Sequence, residues 1–223
     1  MKRYRWYKTE WPLPIHDLAK ELKSNFFSQE SNEGFIVDSV RKDYIDCRFV
    51  EKIHIKDELS DPFGNVIVQE RVDFLEHEFR ISKSFPGFEL LQPQRSVGRL
   101  VNKLLEICEF KLSFSRIVVD PITWVEEIAL ISNLEMKIDS MHFSDVYIDE
   151  NCVAKVITSS PYDVKAATIS FLEGKKKKLK KVKVSFDKAG NNHMVLSDNG
   201  AAAIKCYDPE MIAYIRKAIA SCG

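Results

Sequence analysis

Two long segments of alternating polar and apolar residues constrain the fold more than any other feature of this sequence. Residues 44–55 follow a two-residue period, with Phe49, Ile53 and Ile55 as the inward-facing candidates, and residues 66–81 are predicted to form a long strand or a bent pair of strands. The run DPFGN lies between the two segments, and its Pro, Gly and Asn are residues that turns favour. Alternation on both sides of a turn indicates paired strands. We therefore expect an antiparallel meander that also includes a strand near residues 35–40.

Helical patterns interrupt these strands at irregular intervals. Apolar residues recur at three- and four-residue spacing near residues 15–26, 97–110, 122–131, 161–172 and 210–219. Consecutive strands with helices interspersed favour an α+β fold over an α/β fold. We expect a mainly antiparallel sheet of meander and hairpins, with about five helices packed on it. Ser96 is predicted to cap the second helix, and Leu104, Trp124 and Phe171 are predicted to be core residues.

The length of 223 residues allows one large domain or two small ones. A boundary near Asp120-Pro121 would give two small α+β halves. Residues 1–120 would hold the meander, whose outer face is expected to be acidic, and residues 121–223 would hold a basic turn. The acidic positions of the meander are Glu70, Asp73, Glu76 and Glu78. No flexible linker marks the boundary, so one domain with a continuous sheet remains an alternative.

The composition excludes several classes of protein. Hydrophobic residues make up 45% of the chain, which is enough for a sizeable core, and the formal net charge of zero argues against a surface coated with basic charge. No apolar run is long enough to span a bilayer, and no secretory signal is evident, so we expect no membrane association. The five cysteines are scattered without C-x-x-C spacing, which favours reduced thiols in a cytoplasmic protein.

A lysine-rich turn is the most biased segment of the chain. Lys175, Lys176, Lys177 and Lys178 follow one another without an acid, and Lys180 lies just beyond them. A helical pattern that ends at Gly174 precedes the run, and a strand pattern follows it. Such a turn can bind phosphates by releasing counterions from a nucleic acid. It can equally be a solvated turn that contributes only solubility.

Two other groups of cations support a nucleic-acid interpretation. Arg3, Arg5 and Lys8 interleave with Tyr4, Trp6 and Tyr7 in a strand expected at a sheet edge, where aromatic rings can stack on unpaired bases. Alternation places Tyr4 and Trp6 on one side of this strand. The alternative to base stacking is that these two rings face the core. Arg95 and Arg99 flank a helix start, a place where anions can bind. The predicted nucleic-acid-binding set is therefore Lys175, Lys176, Lys177, Lys178, Lys180, Arg3, Arg5, Lys8, Arg95 and Arg99.

Catalytic patterns are weak in this sequence. It contains no zinc motif, no phosphate-binding glycine loop and no nucleophile elbow, so we expect no metal and no cofactor. The carboxylates Asp43, Asp46 and Glu51 with Lys52 resemble the set of a metal-dependent nuclease. However, alternation separates Asp46 from the other two acids. A cysteine nucleophile would require Cys152 and His142 to meet across a hairpin.

Three functions follow from these patterns. The first is a non-enzymatic cytoplasmic binding or adaptor module that associates with nucleic acid through the lysine-rich turn. The second is a protein-interaction subunit that uses complementary acidic and basic faces, either in a multi-subunit complex or in a homo-oligomer. An acidic protein partner belongs to this second function. The third is an enzyme whose site is assembled from distant residues, such as a metal-dependent nuclease.

Overall fold

A computed structural model describes residues 1–64, 66–94, 96–186, 191–206, 208 and 210–222. The strands are β1 (Lys2–Glu10), β2 (Glu33–Val40), β3 (Tyr44–Ser60), β4 (Val66–Ser82), β5 (Gly87–Leu91), β6 (Ser113–Arg116), β7 (Lys137–Tyr147), β8 (Val153–Ser159), β9 (Lys178–Ser185), β10 (His193–Ser197) and β11 (Ala201–Lys205). The helices are α1 (Ile15–Ser24), α2 (Gly98–Ile107), α3 (Pro121–Ser132), α4 (Lys165–Phe171) and α5 (Met211–Cys222). This combination of five described helices with antiparallel strands confirms the predicted α+β class.

The chain divides into two compact units. Residues Met1–Thr9 and Phe114–Gly223 form the first, here called the terminal unit, and residues Glu10–Ser113 form the second, here called the middle unit. The first strand of the chain therefore packs with the C-terminal residues. The division into residues 1–120 and 121–223 stays a prediction.

The middle unit contains the predicted meander. β2, β3, β4 and β5 pair in that order, each antiparallel to its neighbour, and β3 pairs with β4 along the full length of both strands. Phe35, Phe49, Phe79 and Phe88 form the aromatic centre of its core, with ring centroids 5.0 Å to 6.1 Å apart. The acids of the meander do not share one face, because Asp73 alternates with Glu70, Glu76 and Glu78 along β4.

The terminal unit is a sheet with the strand order β1-β11-β10-β9-β7-β8, and each of these neighbouring pairs is antiparallel. Its core is centred on two tryptophans. The rings of Trp6 and Trp124 meet edge to face at 5.8 Å, and the indole Nε1–H of Trp124 donates to the carbonyl of Ile215 at 3.2 Å. The sheet is thereby joined to α3, and α3 to α5.

Most of the predicted helix boundaries are close to the observed ones. The Asp120 side chain accepts hydrogen bonds from the backbone N–H groups of Ile122 and Thr123, both at 2.9 Å, so α3 begins where the Asp-Pro pair predicted. The predicted cap at Ser96 is wrong. α2 begins after Val97, and no side chain caps it.

The expectation that Phe171 is a core residue is also wrong. Its side chain is 68% exposed, whereas Val164, Thr168 and Leu172 are buried. These three residues are four positions apart, so they form a narrow stripe on the side of α4 that faces the protein. Phe171 is one position from Leu172 and points away from that stripe. Leu104 and Trp124 are fully buried as predicted.

The first strand is not an edge strand, contrary to expectation. β1 pairs with β11 through Arg3↔Ala203 and Arg5↔Ala201, and it also pairs with β6. The sequence did not reveal this position because β11 lies at the opposite end of the chain. Tyr4 and Trp6 are buried, as the core-facing alternative required. Along the described chain, no helix combines the length and the apolar character needed to cross a membrane.

Candidate nucleic-acid interface

The lysine-rich turn connects α4 to β9. Gly174 has a φ of +71°, a conformation that other residues rarely adopt, and it lies just beyond the end of α4. Lys175, Lys176 and Lys177 form the connection, and Lys178 is the first residue of β9. The helix, stop and strand that the sequence predicted on either side of these lysines are present.

Lys176 and Lys177 each have a partner within the protein. The Lys177 Nζ donates to the carbonyl oxygen of Leu172 at 2.7 Å, where it satisfies the C-terminal end of α4. The Lys176 Nζ lies 5.1 Å from the ring centroid of Tyr147, and its carbonyl accepts the Tyr147 N–H at 3.0 Å. Lys177 therefore contributes to structure as well as to charge.

Asp198 partly neutralises the next two cations. Its carboxylate oxygen Oδ2 lies 3.0 Å from the Nζ of Lys180 and 3.8 Å from the Nζ of Lys178. The hydrogen bond from Lys180 to Asp198 raises the pKa of that lysine above its usual value. The turn thus presents less free positive charge than its sequence suggests.

The strand register brings other cations together on one face of the terminal unit. One cross-strand row reads Arg3, Ala203, Val195, Lys183, Ser140 and Ser159, and the next reads Arg5, Ala201, Ser197, Lys181, His142 and Ile157. Neither row contains an acid. We call the surface of these two rows the basic face. Its four cations lie about 14 Å apart across the strands and about 7 Å apart along them, from standard strand spacings.

The described helices of the terminal unit lie on the other side of the sheet. α3 packs against Trp6, which alternates with Arg5, and α5 packs against α3. The Thr168 hydroxyl of α4 donates to the hydroxyl of Thr158 at 2.8 Å, and Thr158 pairs with the buried Met141. No helix of this unit, as far as the structure describes it, covers the basic face. Lys181 and Lys183 are accordingly exposed.

Arg5 is the most constrained cation of the basic face. Its guanidinium carbon lies 5.3 Å from the ring centroid of Tyr7, and the Tyr7 ring packs on Phe114 at 4.7 Å. Its Nε atom is shielded from solvent and has no hydrogen-bond partner among the described residues. This aromatic support holds the Arg5 side chain against the sheet.

An acid lies beside the basic face, and a further cation on β8 extends it. The Asp139 carboxylate accepts from the Ser185 hydroxyl at 2.9 Å and forms an ion pair with Lys137 at 3.3 Å, so it offsets charge only at that end. Lys155 is exposed on β8, where it alternates in phase with Ile157 and Ser159. Tyr147, which Lys176 covers, pairs with Val153 on the same side of β8. The lysine-rich turn therefore borders the basic face.

Two further predicted binding residues, Lys8 and Arg99, do not join this face. Lys8 alternates in phase with Tyr4 and Trp6, on the side opposite Arg3 and Arg5. Arg99 belongs to the middle unit, where its guanidinium lies 3.4 Å from the buried carboxylate of Glu51. Arg95 lies outside the described residues. The predicted binding set does not include Lys181 and Lys183, because their proximity to Arg3 and Arg5 depends on distant strand pairing.

The carboxylates considered for a nuclease do not converge. Asp46 is engaged by Arg80 at 2.6 Å, whereas Glu51 lies 3.2 Å from the ring nitrogen Nε2 of His77. Across the described chain, no group of three or more His, Cys, Asp or Glu side chains is placed to hold a metal ion.

Cys152 and His142, considered as a nucleophile and its base, lie at different levels of the hairpin. His142 pairs with Ile157, which is five positions beyond Cys152 along the chain, or about 16 Å in an extended strand. Cys152 and His142 therefore do not meet across the hairpin, as a cysteine nucleophile would require.

No known protein family matches this sequence, and no curated protein is significantly similar to it.

Proposed function

We propose that this protein binds single-stranded nucleic acid on the basic face of its terminal unit. The carrying observation is the pair of adjacent cross-strand rows in which Arg3, Arg5, Lys181 and Lys183 occur without an acid. Cations held on a rigid sheet can track a phosphate backbone, and each phosphate that they neutralise releases counterions. The zero net charge of the chain is compatible with such a local patch.

The shape and side chains of the face favour unpaired over paired nucleic acid. A sheet surface leaves room for bases to lie between cations, and proteins that bind single strands combine such a surface with flat side chains for stacking. His142 lies within the second row, and Tyr147 lies at its border beneath Lys176. Duplex DNA would hide its bases and present only phosphates to these groups.

The lysine-rich turn has a smaller part in this binding than its sequence predicted. Lys177 is engaged with α4, and Lys178 and Lys180 share Asp198. We therefore assign the principal contacts to the basic face, and Lys175 and Lys176 extend it at one border.

Charge reversal of the two β9 lysines tests the proposal. We expect the double variant Lys181→Glu and Lys183→Glu to bind labelled poly-dT and poly-U oligonucleotides more weakly than wild type in fluorescence anisotropy. The dependence of log K on log salt should flatten by about 0.7 for each lost phosphate contact. Both side chains are exposed, so circular dichroism should show an unchanged fold.

A matched control separates the face from the overall charge. Lys42 and Lys217 are exposed and lie outside the two rows, so reversing both changes the net charge by the same amount. We expect this control to bind nearly as well as wild type. Equal weakening of both double variants, no binding by wild type at low salt, or tighter binding of duplex than of single strands would contradict the proposal.

A further inference from the structure

The outer part of the β3–β4 hairpin extends beyond its neighbouring strands. Pairing of β2 with β3 ends at Glu33↔Glu51, and β5 meets β4 only from Glu78 to Ile81. Residues 52–60 and 66–74, here called the arm, therefore pair only with each other among the described strands. A two-stranded hairpin is at best marginally stable in water.

The arm exposes an unusual amount of apolar surface along β4. Five side chains of this strand are between 47% and 59% exposed, namely Val66, Ile67, Val68, Val72 and Phe74. They occur on both faces of the arm, since neighbouring positions alternate. Long apolar edge strands tend to pair with another strand unless proline, lysine or a covering element protects them. β4 contains no proline and no lysine.

The open edge of β4 carries backbone donors, and one of them is bonded to a side chain of its own strand. The N–H of Phe74 donates to the Asp73 carboxylate at 2.8 Å, a local bond rather than a bond to β3. This places the Phe74 N–H on the open edge, and by alternation the N–H of Val72 faces the same way.

We propose that the arm pairs with the arm of a second copy of this chain, β4 against β4, antiparallel and centred on Val72. The charge pattern of β4 carries this assignment. With Val72 opposite Val72 of the second copy, Arg71 lies opposite Asp73 of that copy. The two-fold symmetry then repeats the pair, so the interface contains two such ion pairs.

Other registers lack this complementarity. A two-fold axis perpendicular to the sheet keeps each face continuous. An odd-numbered residue of β4 can therefore lie only opposite an odd-numbered one, and an even-numbered residue only opposite an even-numbered one. Centring on Glu70, Arg71 or Asp73 places identical charges opposite each other, and centring on Gln69 places Arg71 opposite Ile67. Arg71 already pairs with Asp57 of its own chain through Nε at 3.2 Å, and its other guanidinium N–H groups suit a second carboxylate.

Pairing joins two marginal hairpins into one four-stranded sheet. Three or more strands with an apolar face are the usual minimum for independent stability of a sheet. Val72 of each copy is then covered by its counterpart, and the open edge of β4 is satisfied. This interface belongs to the middle unit and does not depend on nucleic-acid binding.

Charge exchange at the two central positions tests the pairing. We expect wild type to show a concentration-dependent monomer–dimer equilibrium in analytical ultracentrifugation without nucleic acid. The variants R71D and D73R each place like charges opposite one another, and each should raise the dimer dissociation constant at least about tenfold. The double variant R71D/D73R restores opposite charges and should dimerise again. An equimolar mixture of the two single variants should form a heterodimer, because one chain then carries an acid at both positions and the other carries an arginine at both.

A control isolates the contacts between chains. Asp57→Asn removes the ion pair of Arg71 within the chain but leaves the pair with the second copy, so it should dimerise like wild type. Circular dichroism verifies the fold of each variant. A strictly monomeric wild type, a double variant that stays as weak as the single ones, or a mixture that forms no heterodimer would each overturn the proposal.

Discussion

Leu172 and Phe171 are adjacent residues whose truncation should have very different costs. Leu172 is 1% exposed, and Phe171 is 68% exposed. Leu172→Ala removes three buried carbon groups at about 0.8 kcal/mol each and adds a cavity, so we expect a loss of about 2–4 kcal/mol in the free energy of unfolding. Phe171→Ala removes a larger side chain from solvent and should change the stability by less than about 0.5 kcal/mol.

Urea denaturation followed by tryptophan fluorescence measures this difference. Trp6 and Trp124, two of the three tryptophans, are fully buried in the terminal unit and therefore report its unfolding. The Leu172→Ala midpoint should fall while the slope m stays that of wild type. Phe171→Ala should superimpose on wild type.

Two results would refute the assignment of the buried side of α4. Equal losses for the two variants, or a larger loss for Phe171→Ala, would mean that α4 presents a different side to the sheet. The stripe of Val164, Thr168 and Leu172 would then be assigned wrongly.

Three further predictions follow from single residues. Leu104→Ala should lower the free energy of unfolding by about 2–5 kcal/mol in urea denaturation, because Leu104 is fully buried on α2, and unchanged stability would contradict that placement. Lys177→Glu should destabilise the protein by about 1 kcal/mol in the same assay, because it places an anion beside the C-terminal carbonyls of α4, whereas Lys177→Arg should be nearly neutral. Cys152 is exposed and should react with a thiol reagent before Cys47, detected by mass spectrometry of the digested protein. Burial, and to a smaller extent the nearby charges of Asp38 and Asp46, raise the pKa of Cys47 to about 12. Its reactive thiolate is therefore scarce below that pH. Early labelling of Cys47 would contradict its burial.

Local signals specified most elements of this fold. The DPFGN turn and the alternation around it predicted the β3–β4 hairpin, and the Asp120-Pro121 pair predicted the start of α3. These signals work because periodicity and capping depend on residues within a few positions of one another. The same local rules misassigned Phe171, since a seven-residue helix offers too few positions to identify its buried side.

The candidate site was only partly predictable. Arg3 and Arg5 were selected for their charge and aromatic neighbours, and both lie on the basic face. Lys181 and Lys183 were not included, and the lysines of the turn were credited with charge that Asp198 partly neutralises. Each of these differences involves a partner many residues away in the chain.

The amino-acid sequence by itself specified the types of the elements and the presence of a lysine-rich turn. Of the inward candidates in β3, Phe49 is buried, whereas Ile53 and Ile55 are only half-buried. The tertiary structure alone decided which strands are neighbours. β1 lies beside β11, and β10 and β9 follow, so cations from both ends of the chain share one face. The physical reason is that the choice of strand partner depends on side-chain packing across the whole core, and no local pattern encodes it.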